Sequence, residues 1–268
     1  MVIDLFPEIL DDLLSLLSGL SAEEWNKSTA CPSWSAKDVA LHLLGDDIGI
    51  LSRRRDGFSS DAPVQSWEEL VALINDSNEM WVQATRGTSS RLLCELLEFT
   101  GSQVHEYLRS LDPNSIGGPV SWAGPDPAPV WLDLAREYTE RWHHQQHIRD
   151  AVGKPGLKRP RFFAPALDTF VRALPHTYRG VAAVDGTLVT LIIIGDSGNQ
   201  WSLLREGEEW NLYQKVSRRP DVEVAMGEEI AWRVFTKGLS RSEVQAQVKI
   251  AGDQSLGTKI LDTVSIIA

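Results

Sequence analysis

Apolar residues recur at helical spacing through the first part of the chain and predict a set of amphipathic helices. The first stripe covers residues 5–20, where apolar positions stand three and four residues apart. Ser35 and Ser66 each stand three residues before an acidic residue, which is the pattern of a capping box at a helix start. Helices over about residues 89–111 and 129–152 complete the set. The pattern therefore predicts a helical bundle.

After a basic stretch rich in Pro and Gly at residues 153–165, the pattern changes to short strand-like runs. This stretch is the best candidate for a boundary, and it predicts two domains, over residues 1–155 and 163–268. Helical segments are expected around residues 166–173 and 228–235, beside a largely antiparallel sheet, so the second domain is predicted to be α+β. The predicted strands cover residues 181–184, 188–194, 201–204, 210–213 and 222–225.

Composition narrows the class of protein. The 268 residues are 43% hydrophobic and 24% charged, as in globular proteins, and the net charge is −11. Such a charge makes nucleic acid and anionic membranes poor partners. Because the chain starts with acidic residues, we expect no signal peptide. Because its apolar runs are short, we expect no membrane span. With only two cysteines, a cytoplasmic location is expected.

Three histidines fall in one predicted helix and suggest a metal site. Glu140 and His144 are four residues apart, and so are His143 and His147. Either pair could hold a metal ion with a third ligand from another helix, for which His42 is the candidate because its helix is otherwise apolar. The periodicity places His144 closer to the buried side than the other two histidines. There are two alternatives to a metal site. The histidines could be solvated or buried in the core without a ligand role, and Glu140 could form an ion pair with a neighbouring arginine.

Two segments of the sequence resemble a known family. The segment TACPSWSAKDVALHLLGDD at residues 29–47 resembles the hallmark of the DinB-like four-helix metalloproteins, and it is most similar to the mycothiol-dependent maleylpyruvate isomerase branch. The segment VSWAGPDPAPVWLDLAREYTERWHHQQHIRDAVGKP at residues 120–155 resembles the fourth helix of that family. The second domain is similar to the C-terminal domain of these proteins, which has a sterol-carrier-like fold. The resemblance thus implies a four-helix bundle followed by a small α+β domain.

The resemblance also implies a site and its cofactors. It implies a divalent metal ion, zinc in first place and nickel as the alternative, bound by His42, Glu140 and His144. His143 and His147 are alternate ligands, because many DinB-like proteins use a His-x-x-x-His pair on this helix. The family's second cofactor is a low-molecular-weight thiol such as mycothiol. Neither Cys31 nor Cys94 lies near these ligands in sequence, so both cysteines are expected to be structural.

The expected function is therefore that of a metal- and thiol-dependent enzyme. It would use the thiol for addition, S-transfer or cis–trans isomerisation on a small electrophilic substrate. The alternatives are a non-catalytic metal- or ligand-binding protein, and a hydrolase that uses zinc-bound water near Asp46 or Asp47. Trp122 is expected to act either as a lid over the site or as a loop anchor. The sequence leaves monomer and homodimer open.

Overall fold

The chain, described here by a computed structural model over residues 2–58 and 66–267, forms two compact units. The first unit comprises the chain up to Ser115 together with Glu137–Leu157, and it is helical. The second unit comprises Ile116–Arg136 and Lys158–Ile267 and contains a sheet. The predicted fold class, a helical part followed by an α+β part, is confirmed. The exact domain limits at residues 155 and 163 stay a prediction.

The helical unit is built from six helices and a π-helical turn. The described helices are α1 (Phe6–Ser18), α2 (Ala22–Trp25), α3 (Ala36–Gly49), α4 (Trp67–Thr85), α5 (Ser90–Ser110) and α6 (Val130–Val152), with a 3-10 turn at Val2–Leu5 and the π-helical turn at Ile50–Arg55. Residues of α6 before Glu137 belong to the second unit.

Helix α3 lies at the centre of this unit. Its residues Val39, Leu41, Leu43 and Leu44 are all buried although they point in different directions around the helix axis. A helix that is apolar all round is one that neighbours cover on every side. The core cluster around it also draws buried residues from α1, α4, α5 and α6. This position buries the polar residues Asp38, His42 and Asp47 of α3.

The start of α3 is specified locally. Ser35 accepts a hydrogen bond from the backbone N–H of Asp38, and the Asp38 carboxylate accepts one from the backbone N–H of Ser35 at 3.0 Å. The predicted capping box is therefore present. At the start of α4, the Ser66 side chain accepts from the backbone N–H of Glu69, as the sequence predicted.

The second unit holds a five-stranded sheet. The strands are β1 (Leu188–Ile194), β2 (Gln200–Glu206), β3 (Glu209–Tyr213), β4 (Val222–Gly227) and β5 (Lys249–Gly252). Their order in the sheet is β3-β2-β1-β4-β5. Strands β1–β2, β2–β3 and β4–β5 are antiparallel, whereas β1 and β4 are parallel, with Val189 opposite both Leu203 and Val222. The helices of this unit are α7 (Pro160–Val171), α8 (Leu174–Thr177), α9 (Glu228–Phe235), α10 (Arg241–Gln245) and α11 (Gln254–Lys259), followed by a 3-10 turn at Ile260–Asp262.

One predicted strand of this sheet is wrong, and one strand was not predicted. Residues 181–184 form no strand, because Val181 and Val184 hydrogen-bond within local turns, to Tyr178 and Thr187, and Val184 is 80% exposed. Strand β5 was missed because a four-residue strand with a lysine shows no clear alternation.

Trp122 is buried in a small cluster with Val120 and Leu132, so it anchors its loop there. No helix within residues 2–58 and 66–267 has the length and apolar character that crossing a membrane requires.

Candidate metal centre

Three predicted ligands meet at one point between α3 and α6. The Glu140 Oε1 atom lies 3.3 Å from His42 Nε2 and 2.9 Å from His144 Nε2. The three ligand atoms all lie within 4.8 Å of one another. Tetrahedral ligands at the usual zinc distances lie about 3.3 Å apart, so the spacing suits a metal ion. We call His42, Glu140 and His144 the first ligand set.

The charges at this point also suit a cation. Burial works against a charged Glu140 carboxylate, but hydrogen bonds and attraction from His144 and His42 hold the pKa of Glu140 well below its ordinary value. Burial likewise works against a charged His144 imidazole, and the Glu140 carboxylate outweighs it, raising the pKa of His144. The Glu140 carboxylate thus favours a positive charge beside it, which a divalent ion can supply.

Asp46 adds a second carboxylate beside His42. Its Oδ2 atom lies 3.3 Å from His42 Nε2, is buried, and accepts no hydrogen bond from the described residues. Burial is the main reason why the pKa of Asp46 rises to about 6. A buried carboxylate oxygen without a donor favours a nearby cation, so this oxygen supports the fit of a metal ion to the site.

A buried ionic network positions α6 against α3. Arg141 contacts the Asp47 carboxylate at 2.6 Å and the Glu137 carboxylate at 3.1 Å. Thr100 of α5 donates to Asp47 at 2.9 Å, and Arg54 contacts Glu137 at 2.9 Å. Because Arg141 and Asp47 are neighbours of Glu140 and Asp46 in sequence, these contacts set the register in which the ligands of α6 face His42. Thus Arg141 pairs with carboxylates other than Glu140.

The alternate ligands occupy other positions on α6. His143 is buried at 3% exposure, and its ring lies 4.1 Å from that of His147, centroid to centroid. Burial and the neighbouring imidazoles lower the pKa of His143. His147 turns towards Cys31 and not towards His42. The geometry thus groups Glu140 and His144 with His42, which is the choice that the sequence favoured; the ligand set itself stays a prediction.

Cys31 is the residue that sequence reasoning missed. Its Sγ atom lies 3.0 Å from His147 Nδ1 and 3.9 Å from His144 Nδ1. Burial raises the pKa of this thiol, but the hydrogen bonds with the two imidazoles outweigh burial and bring the pKa down to about 6. Cys31 therefore lies beside two of the predicted ligands although it is distant from them in sequence, and its structural role stays an expectation. One sequence signal was available. His144 and His147 are three residues apart and therefore lie on one helix face, where a single side chain such as Cys31 can contact both.

His42, Glu140 and His144 thus converge between two helices of the helical unit and form a candidate metal centre. The family model described as "Mycothiol maleylpyruvate isomerase N-terminal domain" matches residues 6–149, which is more than half of the chain. The chain therefore belongs to the mycothiol-dependent maleylpyruvate isomerase family, and the resemblance seen in the sequence is confirmed.

Solved structures agree with this family at the level of the fold. The chain is similar to the crystal structure of the mycothiol-dependent maleylpyruvate isomerase, with a TM-score of 0.56 and 12% identity over 93% of this chain and 91% of that chain. A single-residue variant of that enzyme gives a TM-score of 0.55 at 11% identity with the same coverage. A UbiJ-SCP2 ubiquinone synthesis protein overlaps 37% of this chain and 96% of its own at 13% identity, but a TM-score of 0.27 carries no argument. No curated protein matches the chain.

Proposed function

We propose that the chain is a thiol-dependent enzyme that binds one divalent metal ion through His42, Glu140 and His144. The observation that carries the proposal is the convergence of these three ligand atoms within 4.8 Å. One carboxylate and two imidazoles are the ligand types and number of a catalytic zinc site, which keeps a position open for another group. Zinc is the favoured ion and nickel the alternative.

The proposed reaction is thiol addition, S-transfer or cis–trans isomerisation of a small electrophilic substrate, with mycothiol or a similar low-molecular-weight thiol as co-substrate. Family membership supports this class of reaction. The bound ion would supply Lewis acidity and would lower the pKa of a thiol that binds to it. The protein's own contribution is to hold the ligands and the reacting groups in place. The contacts of Arg141 with Asp47 and Glu137 hold the ligands.

Asp46 has a role of its own in this proposal. Its buried Oδ2 atom stands beside His42 and, as a carboxylate, would accept a proton from a group that binds at the open position. The same carboxylate could serve a hydrolase as a base for an attacking water molecule. Hydrolysis is therefore the second candidate function, and turnover without added thiol is the result that would favour it.

The first test is metal content. Elemental analysis of tag-free protein should find about one equivalent of metal in the wild type and in His143→Ala, and a loss of most of it in His42→Ala and His144→Ala. The same proteins are then assayed with maleylpyruvate and mycothiol, and activity should follow metal content. A wild type that takes up neither zinc nor nickel, or a His143→Ala variant that loses the metal while Glu140→Ala keeps it, would overturn the proposed ligand set.

A further inference from the structure

Cys31 is held in a constrained loop next to the first ligand set. The loop is closed by a β-bridge between Ser28 and Ser35 and by the hydrogen bond from Thr29 N–H to the Trp34 carbonyl at 3.0 Å. The backbone N–H of Cys31 itself donates to Thr29 Oγ1 at 3.1 Å. Because the loop leads directly into the capped start of α3, the position of the thiol is determined by the same elements that position His42.

The thiol and two imidazoles of α6 make a second group of metal-ligating atoms. Cys31 Sγ, His147 Nδ1 and His144 Nδ1 lie within 4.8 Å of one another. A thiolate and an imidazole bound tetrahedrally to zinc lie about 3.5 Å apart, and the observed distances from Sγ, 3.0 Å and 3.9 Å, lie on either side of that value. All three residues are half-buried, so an ion can reach them. We call these residues the second ligand set.

The two ligand sets share His144 through different ring nitrogens. His144 Nε2 faces Glu140 and His42, whereas His144 Nδ1 faces Cys31. A neutral imidazole has one lone pair, because its other nitrogen carries a proton. His144 in its neutral form can therefore serve one set at a time. When its Nε2 atom binds an ion, its Nδ1–H group points towards the sulfur.

We propose that Cys31, His144 and His147 form a second metal site that takes thiophilic ions such as Cd²⁺ or Cu⁺ and that excludes occupation of the first ligand set. Thiolate sulfur also binds Zn²⁺, but it binds softer ions such as Cd²⁺ and Cu⁺ more strongly, whereas a carboxylate with two imidazoles suits Zn²⁺ and harder ions. On binding, the thiol proton passes to the solvent and the S–metal bond forms without a change of oxidation state. The second site does not rest on the proposed function, because it needs neither His42 nor Glu140, whereas the exclusion rests on the first site of that proposed function.

The test is a titration of the metal-free full-length protein with Cd²⁺. Binding is monitored through the ultraviolet absorption band of thiolate-to-cadmium charge transfer. The wild type should give a band that saturates at about one Cd²⁺ per chain. Cys31→Ser should abolish the band, and His147→Gln should weaken Cd²⁺ binding by at least about tenfold, which is about 1.4 kcal/mol. Cys94→Ser is the matched control, because Cys94 lies on α5 and belongs to neither group of metal-ligating atoms among the described residues, and it should keep the band.

Two further arms separate this proposal from the proposed function. His42→Ala should lose zinc but keep the cadmium band, since His42 belongs to the first set alone. Zinc-loaded wild type should release about one Zn²⁺ for each Cd²⁺ that gives the band. A band that survives in Cys31→Ser, or that disappears in His42→Ala, would overturn the second site. Simultaneous binding of one Zn²⁺ and one sulfur-bound Cd²⁺ would overturn the exclusion.

Discussion

Single side chains in this protein make more than one structural contact, and Asp38 is the clearest case. Its carboxylate accepts from the backbone N–H of Ser35 at the start of α3 and from Arg86 Nε at 2.9 Å. Burial works against the charge of this carboxylate, but the Arg86 and Ser35 hydrogen bonds outweigh burial and lower the pKa of Asp38 below 3.8. One residue thus caps the central helix and ties it to the end of α4.

We expect Asp38→Asn to destabilise the fold by about 1 kcal/mol at pH 7, the size of a lost helix-cap interaction. Because the pKa of Asp38 is lowered in the folded state, its contribution is fully present above the unfolded value of 3.8. The contribution is lost as the pH falls through the lower, folded-state pKa. Urea unfolding of the wild type and the variant, from pH 7 down to about pH 3, measures the difference.

Glu95→Gln is the matched control for this experiment. Glu95 also pairs with an arginine, Arg91, at 2.8 Å, but the two side chains are 54% and 89% exposed. Exposed pairs contribute little, so this variant should unfold within about 0.5 kcal/mol of the wild type. If the difference in unfolding free energy between the wild type and Asp38→Asn stays unchanged at the lowest pH, the stabilisation does not come from the ionised Asp38 carboxylate.

At the scale of elements, close packing of α3 against α4 keeps the central helix in place. The Trp81 indole Nε1–H donates to the Leu41 carbonyl at 2.8 Å, so the ring lies close to the α3 backbone. Gly45 makes that approach feasible, since a Cβ atom there would lie 2.7 Å from the Trp81 ring. This contact is one of those that hold the helix of His42.

Gly45→Ala should therefore destabilise the protein although alanine is the better helix former. The gain in helix propensity is about 1 kcal/mol. Displacing a packed indole costs about 1–3 kcal/mol and weakens its hydrogen bond to Leu41. We expect a net loss of about 1 kcal/mol or more, measured as a lower urea midpoint at unchanged slope.

Gly49→Ala in the same helix provides the comparison. A Cβ atom at Gly49 would meet the far end of the Arg53 side chain at 2.6 Å, and that flexible guanidinium can move aside. This variant should be neutral or stabilised by up to about 1 kcal/mol. Equal destabilisation by both substitutions would show that the Trp81 contact is not the cause.

The elements also show what the sequence could predict. Local signals were sufficient for the capped helices and for strands such as Leu188–Ile194, because caps and periodicity act within a few residues. The parallel pairing of β1 with β4 and the approach of Cys31 to α6 depend on contacts between distant residues. Cys31 and His147 are 116 positions apart, and no periodic pattern relates such residues. The first ligand set could be predicted because the family resemblance supplied its long-range pairing.

At the scale of the whole molecule, the candidate metal centre connects distant parts of the helical unit. His42 and Glu140 are 98 residues apart in sequence, and they stand on α3 and α6. In the unfolded chain these ligands are dispersed, so an ion that binds them binds the folded state preferentially. The acidic character of the molecule, with a net charge of −11, further favours attraction of a cation to the protein.

Removal of the metal should therefore lower the thermal stability of the helical unit. An ion present at a hundred times its Kd stabilises the folded state by about 2.7 kcal/mol. For a chain of this size, that corresponds to a shift in Tm of about 5–10 °C. Differential scanning calorimetry of the zinc-loaded protein, before and after dialysis against a chelator, measures the shift.

Two variants make this measurement specific to the first ligand set. His42→Ala should show the lower Tm from the start and no response to zinc, because it lacks a ligand on α3. His176→Ala, which removes an exposed histidine from the second unit, should respond as the wild type does. If the two units unfold in separate transitions, zinc should move only the one that belongs to the helical unit, since all three ligands lie there. A Tm that zinc does not move in the wild type, or that zinc still raises in His42→Ala, would mean that the ion is not bound between α3 and α6.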